Sequence, residues 1–388
     1  MAQPVRREVC ALKSAAPARV IRVAEIVGGL DRGGAETWLV NVLRALDRSR
    51  FSVDFVVHEE RSYPYEPEIV AHGGRVLRCL RPDRPISYFR RLRALLLEHG
   101  PYDIVHSHIH HYSGWVLAAA AAAGVKRRVV HGHLGARKSD LSLGRRLFTG
   151  AMTTLISRYA TGGLAVAREA APVLFGARWE SDPRWRLLYC GIDLAPFSSR
   201  TPERVRAALH LSRECFVMGH VGRFDPQKNH EGLLAVAQEV FRRRPESHLL
   251  LVGTGPLRGA IEGRVAEMGL SDRVSFLGAR SDVPELLGAM DVFVFPSLYE
   301  GLPLAVLEAQ AAGVSSVLST AVTEEVLVAP ELVQRVSLSA GPSGWADAIL
   351  GAPRPTAESR ARALAAFEGS RFDVRMSARA LADYYAAG

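Results

Sequence analysis

The chain has 388 residues, of which 48% are hydrophobic, 23% charged and 7% aromatic; this balance excludes intrinsic disorder and supplies material for two or three domain cores. The formal net charge of +9 points to anionic partners. It is carried almost wholly by arginine: the 49 basic residues include only four lysines, Lys13, Lys126, Lys138 and Lys228. No zinc finger, RNP sequence or run of five basic residues occurs, so nucleic acid is not an expected partner. Cys10, Cys79, Cys190 and Cys215 stand far apart without a CxxC pair, which excludes a disulfide scaffold and suits a cytoplasmic location.

In chain order, Met1–Arg19 is charged and has no apolar core of a secretory signal, so residues 1–19 read as an extension. Val20–Val27 reads as a buried strand, followed by a glycine-rich turn (Gly28–Gly34) and a helix from about Ala35 to Ala45. Ser52–His58, Arg75–Leu80, Asp103–His108 and Arg128–His131 are further strand-like runs. Ile86–His99 reads as an amphipathic helix with Phe89, Leu92, Leu95 and Leu96 on one stripe beside Arg90, Arg91 and Arg93. With Arg137, Lys138, Arg145 and Arg146 downstream, it is either an ordinary solvated face or a contact for anionic lipid. Trp115–Gly124 is about half the roughly 20 residues a bilayer span needs. It reads instead as a buried helix, with Lys126-Arg127-Arg128 placed to close its C-terminal end.

The second half repeats the alternation. Strands at Phe216–Gly222, His248–Gly253, Arg273–Leu277, Asp291–Phe295 and Val314–Ser319 are separated by helices starting near Asn229, Pro256, Asp282 and Pro303. Gly191–Pro202, rich in turn formers, is the best linker. The predicted architecture is α/β, with two Rossmann-like doubly wound domains facing across a cleft. Its divisions are an extension (1–19), an N-terminal domain (20–193), a linker (194–202), a C-terminal domain (203–370) and a terminal segment (371–388). Ligands of such sheets bind outside the carboxyl ends of the strands, which makes the cleft the expected site.

Phe295–Gly313 (FPSLYEGLPLAVLEAQAAG) is a strand, a loop and a helix opened by Pro303. Glu300 in the loop and Glu308 in the helix can both look into the mouth above the strand ends. The free amides of Leu302 and Leu304, with the helix dipole, make an anion site beside them. A diphosphate at the helix end, one carboxylate on ribose hydroxyls and another near a sugar would use every part. In Val221–His230 (VGRFDPQKNH), Gly222 and Arg223 close a strand and Lys228 precedes a helix. A fixed guanidinium and a mobile ammonium suit two phosphates.

Gly33, Gly34 and Glu36 open the first helix, where glycine allows close backbone approach to a ligand. The spacing is not the GxGxxG of a dinucleotide fold, and the turn around Gly253 departs from it too, which argues against the rival reading of a nicotinamide-dependent oxidoreductase. His106, His108 and His110 would share one face of an extended strand. No acidic or cysteine ligand accompanies them in sequence, so no metal is expected. His133, in a His-Gly-His-Leu-Gly turn, is the better candidate for touching substrate. Donor choice falls to the loops at Phe276–Arg280 and His131–Gly135.

The motifs GGAETWLVN (Gly33–Asn41), DIVHSH (Asp103–His108), GHVGRFDPQKNH (Gly219–His230), LLLVGTGPL (Leu249–Leu257) and DVPELLGAMDVFVFPSLYEGLPLAVLEAQ (Asp282–Gln310) occur in this order. Together they make the chain similar to the GT-B glycosyltransferases of family 4 (glycosyltransferase group 1), nearest the EpsF-like exopolysaccharide branch. The likeness runs from Val20 to Tyr385, and Glu300–Glu308 matches the EX7E element. It implies retention of anomeric configuration, no metal or other cofactor, and a nucleoside-diphosphate sugar, by habit a UDP-sugar, as donor. Arg223 and Lys228 would hold the diphosphate, Glu308 the ribose and Glu300 the donor sugar. His133 would sit near the sugar's 6-position, and Gly33–Gly34 against the phosphates or acceptor. Gly222, Gly253, Leu302, Pro303, Leu304 and Arg280 complete the donor side. A C-terminal helix, Phe372–Ala386, would cross back to the N-terminal domain.

The implied acceptor is a glycan or lipid-linked hydroxyl at an anionic membrane surface, with a natural-product acceptor or a non-catalytic sugar-nucleotide binder as alternatives. The location would be cytoplasmic or peripheral on the inner face of the membrane; the oligomeric state stays open. Cys190 stands where relatives often place Asn, and Ala167 where Ser is common.

Overall fold

The computed structural model describes residues 19–80, 83–135, 142–198 and 201–387. The expected extension lies outside them except for Arg19, as do Arg137 and Lys138. Two parallel sheets organise the chain. The first has seven strands, β1 (Ile21–Ile26), β2 (Phe51–Val57), β3 (Val76–Arg78), β4 (Ile104–Ser107), β5 (Arg127–Gly132), β6 (Gly162–Ala165) and β7 (Trp185–Leu187), ordered β3-β2-β1-β4-β5-β6-β7. The second has six, β8 (Phe216–Val221), β9 (Ser247–Val252), β10 (Val274–Gly278), β11 (Val292–Phe295), β12 (Ser315–Ser319) and β13 (Val333–Val336), ordered β10-β9-β8-β11-β12-β13. These are the two facing Rossmann-like domains of a GT-B fold.

Helices cover both faces of each sheet, so central strands such as β11 (Val-Phe-Val-Phe) are fully buried and read as unbroken apolar runs. The strand order reverses between β1 and β4, and again between β8 and β11. Crevices at such reversals receive ligands, and here both open toward the loops that carry the candidate residues.

β6, β7 and β13 were not among the expected strands. They have only three or four residues each, and β6 is Gly-Gly-Leu-Ala, without a β-branched side chain; pairing to a neighbour makes it a strand, not propensity. The helix Leu143–Tyr159 buries only Met152 and Ile156, too faint a period to read.

The helix Ser113–Ala122 is buried as expected, but the cations after it do other work. Its last turn is met by Arg93, whose Nε donates to Ala122 O at 3.0 Å. Arg128 serves the end of the next helix, donating to Tyr159 O at 2.7 Å. Arg127 reaches Tyr384 O at 2.6 Å, capping the last helix of the chain, Val374–Ala386. That helix does lie on the N-terminal domain. Trp38 Nε1 donates to Ser377 Oγ at 3.2 Å, joining it to the helix Gly34–Ala45.

The two passages between the domains run side by side. Ile192 N donates to Phe372 O at 2.8 Å and Val374 N to Ile192 O at 3.0 Å. Glycine is required next door, because a Cβ on Gly191 would lie 2.6 Å from the backbone at Asp373 and Val374.

Candidate functional site

The loop after β8 is held by backbone contacts that only glycine permits. Gly253 has φ +134°, and a Cβ there would lie 2.0 Å from Gly222 O. Phe224 is buried beneath the loop, leaving Arg223 exposed above it. Asp225 then caps the short turn Pro226–Lys228 through Gln227 N at 3.0 Å. Asn229, in the left-handed region at φ 54°, caps the helix His230–Arg243 and donates from Nδ2 to Pro296 O at 3.2 Å. Leu298 N donates to Gln227 O at 2.9 Å. The loops after β8 and β11 are thereby bound into one unit.

That unit presents a polar centre. Lys228 Nζ lies 2.7 Å from Glu300 Oε1, and Gln227 Nε2 donates to Glu300 Oε2 at 2.9 Å. The ammonium also sits 4.7 Å above the Phe295 ring. Glu300 is buried, so a paired cation in this place is required for its charge. Gln227 was not foreseen as part of this centre.

The helix Leu304–Ala311 begins beside it. The amides of Leu302 and Leu304 donate to no backbone carbonyl, and Pro303 between them has no N–H, so the helix start is free to receive an anion. Glu308 faces inward without a protein partner among the described residues, and burial pushes its carboxyl up to about 7. Acceptor-only when ionised, it suits a pair of hydroxyl donors.

The N-terminal domain completes the cleft. A Cβ on Gly34 would lie 3.7 Å from Leu304 Cγ, so the starts of two helices face each other. The Glu36 carboxylate folds back over Gly33, where a Cβ would lie 2.3 Å from Oε2, and burial raises its pKa. Arg223 acts across the gap on both Asp31 and Glu36. The segment His133–Gly135 lies directly on the Glu300 loop: a Cβ on Gly135 would be 2.2 Å from Glu300 O, and one on Gly301 would be 2.1 Å from His133 O. The cleft thus gathers Gly33, Gly34, Glu36, His133, Gly222, Arg223, Lys228, Gly253, Glu300, Leu302, Pro303, Leu304 and Glu308. Arg280 is engaged by Asp282 through bonds of 2.7 and 2.6 Å.

The histidines are arranged differently from the expectation. β4 ends at Ser107 and His110 lies in a short turn at φ 53°, so it does not share a face with His106 and His108. Sheet pairing instead brings His131 and His133 beside them. Glu25 and Tyr385, both unforeseen, join the group. Tyr385 Oη donates to Glu25 Oε1 at 2.8 Å, His108 Nε2 lies 2.8 Å from Glu25 Oε2, and His108 Nδ1 lies 2.8 Å from His133 Nε2. His106 Nδ1 lies 2.6 Å from Tyr385 Oη. Burial pushes the Glu25 carboxyl up, but its contacts with His106 and His108, hydrogen bonds among them, outweigh it and hold it well below the usual range. A signal was present: Glu25 is a charged residue inside an otherwise apolar strand, and such residues mark functional sites.

Among the described residues, His106, His108 and His131, and also His131, His133 and Cys190, place ligand atoms within 4.8 Å of one another. An acid and a thiol therefore do accompany the histidines in space, though not in sequence. Both nitrogens of His108 are engaged by Glu25 and His133.

Residues 32–196 match the family described as Glycosyltransferase Family 4, and residues 215–352 match Glycosyl transferases group 1. The chain is 35% identical to the putative glycosyltransferase EpsF of Bacillus subtilis, over 94% of this chain and 96% of that protein. It is 30% identical to an Escherichia coli UDP-Gal:alpha-D-GlcNAc-diphosphoundecaprenol alpha-1,3-galactosyltransferase, over 61% of this chain and 64% of that one. Among solved structures, Anabaena HepE in complex with UDP-glucose superposes with a TM-score of 0.78 at 20% identity, covering 95% of this chain and all of that one. The lipopolysaccharide glycosyltransferase WaaG gives 0.68 at 16% identity, covering 94% and 100%.

Proposed function

Since the chain belongs to glycosyltransferase family 4, we propose that it is a retaining, metal-independent hexosyltransferase that moves a sugar from a UDP-sugar to a hydroxyl of a glycan or lipid-linked acceptor. That it is a glycosyltransferase is given by its family; the donor, stereochemistry and acceptor are the proposal. The observation that carries it is the Lys228–Glu300 pair at 2.7 Å, set between the exposed Arg223 and the helix start at Leu304.

A diphosphate fits between these cations and amides, its ribose hydroxyls donating to Glu308 and its sugar lying toward Glu300 and His133. The bond from the anomeric carbon to the diphosphate oxygen breaks, and the acceptor oxygen bonds to the same face. The acceptor proton passes to the departing diphosphate oxygen, so no protein base is required. Fixed positive charge where negative charge grows is the main catalytic contribution. HepE, which was crystallised with UDP and with UDP-glucose, supports a UDP-sugar as donor. The diphosphoundecaprenol-linked acceptor named for the Escherichia coli relative supports a lipid-linked one.

No helix of the described residues is long and apolar enough to cross a membrane. The helix Leu143–Tyr159 exposes Leu143 (72%), Leu147 (66%) and Phe148 (41%) beside Arg145 and Arg146. Exposed apolar side chains among arginines suit the boundary of an anionic bilayer.

A panel of nucleotide sugars, scored by donor hydrolysis with and without EDTA, tests the reaction. Release of UDP from a UDP-hexose, unchanged by chelation, with retained configuration in the product, is the expected result. Binding of NADH without binding of UDP would overturn it. Salt-sensitive pelleting with anionic liposomes tests the surface.

A further inference from the structure

Four residues from four elements form one hydrogen-bonded line. Glu25 comes from β1, His108 follows β4, His133 follows β5, and Tyr385 comes from the final helix. β1, β4 and β5 are successive neighbours in the sheet, so the line advances one strand at a time from the protein interior toward the cleft.

Its polarity follows from the acceptor at its root. A carboxylate can only accept, so the proton of His108 sits on Nε2, facing Glu25 at 2.8 Å. Burial keeps His108 neutral, with a pKa near 4, and its Nδ1 therefore offers a lone pair. His133 Nε2, 2.8 Å from that nitrogen, must be the donor. Burial also keeps His133 neutral, which leaves its Nδ1 as an acceptor. The sealed, unpartnered ring nitrogens of the group are those of His106 and His131; His133 Nδ1 is not one of them. The same residue's carbonyl abuts Gly301, next to the Lys228–Glu300 pair. Tyr385 donates to the other oxygen of Glu25, and His106 Nδ1 lies closer to Tyr385 Oη, at 2.6 Å, than to Oε2, at 3.3 Å, so His108 is the nearer donor to Oε2.

We propose that Glu25 and His108 are positioning residues that hold His133 as the Nε2–H tautomer, so that its Nδ1 receives a hydroxyl of the donor sugar and turns away a carboxylate. This rests on the nucleotide-sugar reading of the cleft and adds a substrate class to it: neutral hexoses over hexuronic acids. Two acceptors facing each other leave a lone pair unsatisfied, and a charged one is the worse case.

The test uses the full chain labelled with ¹⁵N-histidine, His133→Ala identifying the signal. At pH 7.5 the His133 resonances should show a bare Nδ1 and a protonated Nε2. In donor hydrolysis, Glu25→Gln should lower kcat/KM for UDP-glucose about tenfold, roughly one lost hydrogen bond, with the affinity for UDP unchanged. It should also narrow the preference for UDP-glucose over UDP-glucuronic acid by about tenfold. In a His133→Ala background the same change should have no further effect.

A protonated Nδ1 on His133 in the wild-type chain would overturn the proposal, as would a Glu25→Gln penalty of the same size without His133, or a bound transition metal occupying His133. Should Glu25→Gln fail to fold, the wild-type tautomer decides alone. If UDP does not bind the wild-type chain, the nucleotide-sugar reading falls separately.

Discussion

Gly34 and Leu304 stand opposite each other, with 3.7 Å between the place of a Gly34 methyl and Leu304 Cγ. Each begins a helix, so two positive dipole ends converge on one gap from different domains. The Glu36 carboxylate folds back over the first of these ends, and a diphosphate would meet both. The arrangement also fixes how much side chain the gap tolerates. Gly34→Ala meets Leu304 at ordinary van der Waals distance and should keep kcat/KM within about threefold. Gly34→Leu should cost at least about a hundredfold by holding the domains apart, on the order of 3 kcal/mol, with little change in melting temperature. Steady-state kinetics beside thermal denaturation separate these outcomes.

Lys228 has two duties that mutation can divide. Lys228→Ala would, in the proposed reading, remove a diphosphate ligand, and it leaves the buried Glu300 carboxylate without its cation. The pair is not fully enclosed, so the stability cost should be about 1–3 kcal/mol, below that of a wholly buried pair. Lys228→Met combined with Glu300→Gln should recover the melting temperature and remain inactive. Arg223→Ala, at an exposed position, should weaken UDP binding about tenfold or more while leaving stability unchanged. Calorimetric titration with UDP and a melting curve for each variant provide the check.

With the ribose placed as proposed, Glu308 should give nucleotide binding a pH dependence. Its carboxyl titrates near 7 in the empty cleft because burial penalises the charge. Ribose hydroxyls are donors and favour the ionised form, so UDP affinity should be highest above pH 7. It should fall by up to about tenfold per pH unit below 7, until the carboxyl protonates in the complex as well. Glu308→Gln should bind more weakly at pH 8 and lose this slope. A UDP titration from pH 5.5 to 8.5 in both proteins measures it.

Histidines govern acid stability. His58, His108 and His230 are each pushed down to about 4 by burial, below their ordinary 6.5. Between these values the unfolded chain binds protons that the folded chain does not, so stability is complete above pH 6.5 and is lost as pH falls. Each contributes at most about 3 kcal/mol of this loss by pH 4. The melting temperature should therefore drop steeply below pH 6. His58→Phe should flatten part of the slope; its ring bonds only Tyr88 Oη, at 2.9 Å, away from the cleft.

Most of the doubly wound fold was legible because its central strands are continuous apolar runs set apart by turn formers. Elements built by their neighbours were not: β6 has two glycines in four residues, and nothing in such a segment favours a strand before β5 pairs with it. The C-terminal half of the cleft was legible for a related reason, since Arg223, Lys228, Glu300 and Glu308 lie on two short stretches whose local geometry aims them. The bond that ties Arg280 to Asp282 has no sign in sequence, since a loop arginine does not show its partner. The Glu25–His108–His133 line was illegible because its members are scattered over more than a hundred residues and Tyr385 comes from the other end of the chain. Only the order of strands in the sheet makes them adjacent.

The strand-like pairing of Ile192 with Phe372 and Val374 has a mechanical effect. The two passages are joined at this point, so any opening of the domains would turn about it, and the rim farthest from Ile192 would travel most. Val374→Pro would remove the amide donated to Ile192 and so loosen this link, and it is expected to change the rate of product release without touching any atom that meets the products.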